Sequence, residues 1–154
     1  MADLEVRPAS IDDAPGVEPL LADALGRLGT LRGGPALLEL LGVPPAIDAA
    51  ALSAALCEGT LLGTSTLVAT LEGEAVGIAV LLRAADGIEL VGVHTARSLR
   101  RRRIGTTLLE AARALAGASD ERFEALALPG DQTVKSLLEA AGFRARLLRM
   151  SADR

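Results

Sequence analysis

The chain has 154 residues, half of them hydrophobic, yet only two phenylalanines, no tryptophan and no tyrosine, and its formal net charge is −4. That length suits one domain, 1–154, with a core of its own. The aromatic count excludes base-stacking platforms, aromatic cages for cations and a tyrosine acid. One cysteine and one histidine exclude a disulfide framework and every zinc site built from those residues, so no metal is expected. The negative charge argues against nucleic acid or anionic lipid as a partner.

The opening residues MADLEVRP carry acids where a signal peptide needs bases and an apolar run. No stretch approaches the ~20 apolar residues of a membrane span, and a cytoplasmic protein is expected. Leu4 to Arg7 reads as a short strand ended by Pro8, and Ser10 with Asp13 reads as a helix cap. Val17, Leu20, Leu21, Ala24, Leu25 and Leu28 recur at helical spacing and form one apolar face. Pro19 lies inside that run, so the regular part is expected from about Pro15. A second, less defined helical stretch falls within residues 35–57 and contains Cys57, which has no recognisable histidine partner and reads as packing.

From Ser65 the period changes to two. Ser65 to Leu71 and Ala75 to Arg83 flank Glu72-Gly73-Glu74 as a hairpin. Asp86-Gly87 then turns the chain into a third strand, Ile88 to Thr95. A helix with Ile104, Leu108, Ala112 and Leu115 on its buried stripe follows, with Gly117 as its expected end. Phe123 to Leu128 reads as a strand and Asp131 as the N-cap of a last helix, whose face is Val134, Leu137, Leu138 and Ala141 and which stops at Gly142. Residues 144–150 read as a final strand. The expected fold is α/β, with a mixed, mostly antiparallel sheet of about six strands flanked by about four helices.

The segment Arg100-Arg101-Arg102-Arg103-Ile104-Gly105 joins a strand to a helix start. Four arginines are electrostatically misplaced there, because unpaired N–H groups already give a helix N-terminus about half a positive charge. A phosphate would resolve the conflict, bound by those N–H groups with no Cβ at Gly105 to obstruct it. A solvated arginine cluster and a nucleic-acid patch are the competing readings of the run alone.

In this context the sequence resembles the GNAT superfamily of acyl-CoA-dependent N-acetyltransferases. The family signature is Arg or Gln, two residues, Gly, one residue, then Gly or Ala. It falls on Arg100, Arg101, Arg102, Arg103, Ile104 and Gly105, with Arg103 replacing one glycine. GVHTARSLRRRRIGTTLLEAA, VRPASIDDAP and LPGDQTVKSLLEAAGF also resemble the family's wording. The resemblance implies that this loop wraps the pyrophosphate of acetyl-CoA, and that backbone groups from Val93 to Thr95 meet the pantetheine arm. It further implies transfer of acetyl to a primary amine of a small molecule or peptide, or else a member that binds CoA without catalysis. Glu89 is the candidate base, since several family members carry a glutamate at this distance before the signature.

Strict alternation puts Glu89, Val91, Val93 and Thr95 on one sheet face and His94 on the other. The family's usual tyrosine falls on Leu138, which continues an apolar stripe and reads as core. Asp131 and Lys135 have the spacing of an exposed helix pair. The many leucines are compatible with a homodimer.

Overall fold

The computed structural model describes residues 3–44, 46–61, 63–99, 102–118 and 121–152. Strand β1 (Leu4–Pro8) leads into a 3-10 turn (Ile11–Asp13) and helix α1 (Ala14–Leu28). Ser10 N–H donates to Asp13 Oδ2 at 2.8 Å, and Arg7 holds the same carboxylate through both guanidinium nitrogens at 2.8 Å. The cap thus ties the end of β1 to the start of α1. Pro19, the sixth residue of α1, does not interrupt it; its missing N–H removes one early hydrogen bond.

The weak helical stretch resolves into two helices, α2 (Gly34–Leu40) and α3 (Ala49–Glu58). Asp48 caps α3 by accepting from Ala51 N–H at 2.7 Å. Strands β2 (Thr64–Leu71), β3 (Glu74–Ala84) and β4 (Gly87–Thr95) form the antiparallel meander. Glu72 and Gly73 both have positive φ, 52° and 83°, as a tight two-residue hairpin turn requires. Helix α4 (Ile104–Ala118), strand β5 (Arg122–Ala125) and helix α5 (Gln132–Ala140) complete the chain. Gly117 lies inside the last turn of α4 rather than ending it.

The sheet order is β1-β2-β3-β4-β5, antiparallel throughout except for the parallel β4–β5 pair. It has five strands where about six were expected. The difference is residues 144–150, which pair with no strand and leave Leu147 85% and Met150 83% exposed. Consecutive Leu147-Leu148 breaks the period of two, so the segment has no single apolar face to lay on a core.

Each sheet face carries its own core. Leu108, Leu109 and Ala112 of α4 and Leu138 of α5 pack on Leu67, Ala79, Leu81 and Leu90. On the opposite face Val17, Leu20 and Leu21 of α1 and Leu52 and Leu56 of α3 cover Val68, Ile78, Val80 and Val91. A Cβ on Gly77 would lie 2.8 Å from Ile104 Cγ2 and 3.0 Å from Leu108 Cδ1. Only glycine lets α4 settle that closely on β3.

Candidate active site

Strand β4 changes phase halfway along. Its pairing with β3 shifts between Val80 and Leu81: Gly92 faces Val80, but Leu90 faces Leu81, leaving Val91 as the extra residue of a β-bulge. Upstream, Glu89 lies opposite Leu82 and shares the α1–α3 face with Val91. Downstream, Val93 lies opposite Ala79 and packs in the α4 core. The expected single face for Glu89, Val91, Val93 and Thr95 is therefore wrong. Val93 and Thr95 turn toward α4, and His94 turns to the α1 side that Glu89 occupies.

The same region is where the sheet opens. β5 runs parallel to β4 from Arg122 to Ala125, and Leu126 N–H donates to Leu90 O at 2.9 Å. Beyond that bond β4 has no strand neighbour on this side among the described residues. The backbone of Val91 to Thr95 thus borders a wedge between two diverging chains.

The N-terminus of α4 stands beside this wedge. A Cβ on Gly105 would lie 3.2 Å from Leu137 Cδ2 of α5 and 3.8 Å from Val93 Cγ1 of β4, so the helix start is hemmed in by both. Arg103 precedes the helix with φ 61°, in the left-handed region that glycine favours. Its carbonyl accepts from Thr107 N–H at 2.9 Å and from Thr107 Oγ1 at 2.8 Å. Arg102 and Arg103 are exposed, and neither forms an ion pair among the described residues. Arg100 and Arg101 lie outside the described residues. Ile104 is buried in the α4 core, so its contribution to the loop is backbone only.

On the α1 side the wedge continues into a cavity of about 120 Å³ between the sheet and helices α1–α3. His94, 6% exposed, lines it. Its Nε2 lies 2.8 Å from Asp23 Oδ2, and Arg97 Nε lies 2.9 Å from Asp23 Oδ1. Asp131 also lines the cavity. It caps α5 and is bound by Arg27 at 2.9 Å, not by Lys135, whose ion pair is with Glu139 at 4.0 Å. The exposed Asp131–Lys135 pair is thus corrected, because Asp131 is buried and faces α1.

Glu89 is half-buried just upstream of the bulge and is not among the residues lining the cavity. Burial pushes its carboxyl up, Glu124 directly opposite on β5 pushes it further, and Arg149 opposes them. Leu138 is buried in the α4 core, and the α5 residue that reaches the cavity is Val134. Cys57 is buried in the α1–α3 core, and burial raises its thiol.

Asp23 and Arg27 are the residues that sequence reasoning did not single out. Their spacing of four on a helix resembles a local surface pair, whereas each reaches across to a different element.

A parallel strand pair that parts beside a helix start, within a mostly antiparallel sheet, gives a mixed α/β fold with its site at the parting. The model of the acetyltransferase (GNAT) family matches residues 46–143, and the chain belongs to that family. Solved structures share the whole architecture at low identity. The aminoglycoside N-acetyltransferase AAC(6')-Iy in complex with CoA superposes with a TM-score of 0.71 at 13% identity, covering 100% of this chain and 96% of that one. The ribosomal-protein-alanine N-acetyltransferase from Brucella melitensis biovar Abortus 2308 gives 0.72 at 14%, covering 99% and 100%. The PaiA N-acetyltransferase from Thermoplasma acidophilum in complex with coenzyme A gives 0.70 at 16%, covering 94% and 91%. No curated protein sequence matches the chain. Among the described residues, no helix is long and apolar enough to cross a membrane.

Proposed function

We propose that the protein transfers an acetyl group from acetyl-CoA directly to a primary amine of a small molecule or peptide. The observation that carries this reading is the wedge. β4 and β5 separate after the Leu126–Leu90 bond, and the start of α4 stands beside their parting, where a Cβ on Gly105 would touch Val93. The residues present suit the donor. The segment Arg100–Gly105 offers cationic side chains and helix-start N–H groups to the pyrophosphate, and the bare Cα of Gly105 lets the helix start lie close against Leu137 and Val93. The backbone of Val93 and Thr95 along the wedge offers hydrogen bonds to the pantetheine amides.

In the transfer, the amine nitrogen forms a bond to the thioester carbonyl carbon, the C–S bond breaks and CoA leaves as a thiolate. Glu89 accepts the amine proton, a role favoured by the burial that raises its carboxyl above its ordinary value. The chain holds no tyrosine, so the thiolate takes its proton from water or from the next substrate ammonium.

The test is thermal denaturation with acetyl-CoA, followed by release of free thiol over an amine panel. Saturation at 100-fold above Kd should stabilise the fold by about 2.7 kcal/mol. An unchanged melting curve sinks the reading. Stabilisation without thiol release across the panel leaves a CoA-binding domain that does not catalyse.

A further inference from the structure

The cavity on the α1–α3 side is almost entirely aliphatic. Its walls include Leu21 and Leu25 of α1, Leu37 of α2, Leu56 of α3 and Val80 and Val91 of the sheet. Among the described residues, its one lining carboxylate, Asp131, is bound by Arg27 at 2.9 Å. Both phenylalanines lie elsewhere: Phe123 and Phe143 stack edge to face at 5.6 Å against the α4 core. The cavity therefore offers an ammonium group neither an uncommitted carboxylate nor an aromatic face. A cation buried among leucines would lose its hydration with little in return. An aliphatic or aryl group would gain from the same walls. The volume, about 120 Å³, is close to that of the ~150 Å³ apolar cavity known to take up benzene. Val91, Gly92 and Val93 line the cavity and also border the wedge, so the two spaces adjoin.

We infer that the acceptor is a monoamine with an apolar body about the size of a phenyl or isobutyl group, which fills this cavity while its nitrogen stays at the edge of β4. The inference rests on the acetyl-transfer reading for the nitrogen's role, but the cavity's preference for an apolar group is independent of turnover. A polycationic acceptor is the class that the walls reject.

The experiment uses the full chain and two readouts. Free-thiol release is measured with acetyl-CoA and a series of n-alkylamines, with phenethylamine and with spermidine. Catalytic efficiency should rise about 3- to 4-fold per added methylene while the chain fits, and phenethylamine should exceed spermidine at least 10-fold. Thermal stabilisation by millimolar benzene or indole is measured in parallel for the wild type and for Ala24→Leu, which fills the cavity from the half-buried face of α1. The wild type should be stabilised and the variant not, while the shift produced by acetyl-CoA persists in both.

Preference for spermidine, or efficiency independent of amine chain length, overturns the inference and leaves acetyl transfer standing. Efficiency that rises with the acyl chain from acetyl-CoA to hexanoyl-CoA but not with the amine assigns the cavity to the donor and also overturns it. Absence of turnover with any amine, alongside stabilisation by benzene in the wild type alone, supports the cavity's specificity while the transfer reading fails. Absence of benzene or indole stabilisation in the wild type overturns the cavity claim itself.

Discussion

Asp23 of α1 and His94 of β4 are joined by a 2.8 Å contact between Oδ2 and Nε2, and the other carboxylate oxygen holds Arg97 at 2.9 Å. One side chain thereby anchors the first helix to the end of β4 and to the turn that leads into the arginine loop. His94 is buried and Asp23 is partly exposed, so the contact is shielded from solvent on one side only.

Asp23→Asn should lower the free energy of unfolding by about 1–3 kcal/mol, since it removes the charge from a bond to a buried partner. Combining it with His94→Gln should cost less than the sum of the two single changes, as contacting residues do. Urea unfolding of the four proteins in the cycle measures this; strict additivity would show that the contact contributes nothing.

Gly77→Ala forces a methyl group to within 2.8 Å of Ile104 Cγ2, with His94 O at 3.3 Å on another side. The first turn of α4 must retreat from β3. We expect a stability loss of about 1–3 kcal/mol together with weaker acetyl-CoA binding, because the displaced residues adjoin Gly105. Calorimetric titration separates the two effects from those of a distant core substitution of equal cost.

Arg103→Gly should behave in the opposite way. The left-handed backbone, φ 61°, strains any residue with a Cβ by about 1–2 kcal/mol, partly offset by the greater freedom of glycine in the unfolded chain. The variant should be as stable as the wild type or more stable by up to about 1 kcal/mol, and it should still be stabilised by acetyl-CoA. A marked loss of stability would show that the arginine side chain anchors the loop.

The acid limb of kcat/KM should report Glu89. Burial first, then Glu124, hold this carboxyl above its ordinary 4.5, and a base acts only when deprotonated. Activity should therefore rise with pH through a value above 4.5. Glu124→Gln should move the limb to lower pH and Arg149→Ala to higher pH, while Glu89→Gln should lower kcat by about 10²-fold or more. An unmoved limb in Glu124→Gln would exclude Glu89 as the titrating group.

Asp13 carries the opposite shift. Hydrogen bonding by Arg7 holds its carboxyl below the usual 3.8, so the pair stabilises the fold fully above about pH 4 and loses that contribution as pH falls through the lowered value. Asp13→Asn should flatten the acid end of the stability curve without altering its slope above pH 6. Chemical unfolding between pH 2 and 7 tests this.

Most of the fold is readable along the chain because its elements are locally consistent. Ser10 and Asp13 cap where the spacing predicts, Glu72-Gly73 turns, and the stripes of α4 and α5 meet the sheet. Residues 144–150 form no strand because Leu147-Leu148 breaks their alternation, and the edge strand β5 is only four residues long. At the site, the arginine run and Gly105 are visible because their chemistry conflicts with a bare helix start. The Asp23–His94 and Arg27–Asp131 contacts are not, since each spans over seventy residues of chain and Asp23 and Arg27 have local spacing that suggests a different pair. The bulge had one signal, Gly92 inside a strand. Strict alternation runs straight through that position and misses the change of phase.

That extra residue acts on β4 as a frameshift acts on a message. Everything before Val91 keeps its phase and everything after it is out of phase by one, so the identity of residue 91 matters less than its presence. Deleting Val91 would close the bulge and restore perfect alternation while leaving Val93 toward α4 and His94 toward α1, so what the deletion removes is the local kink beside the wedge.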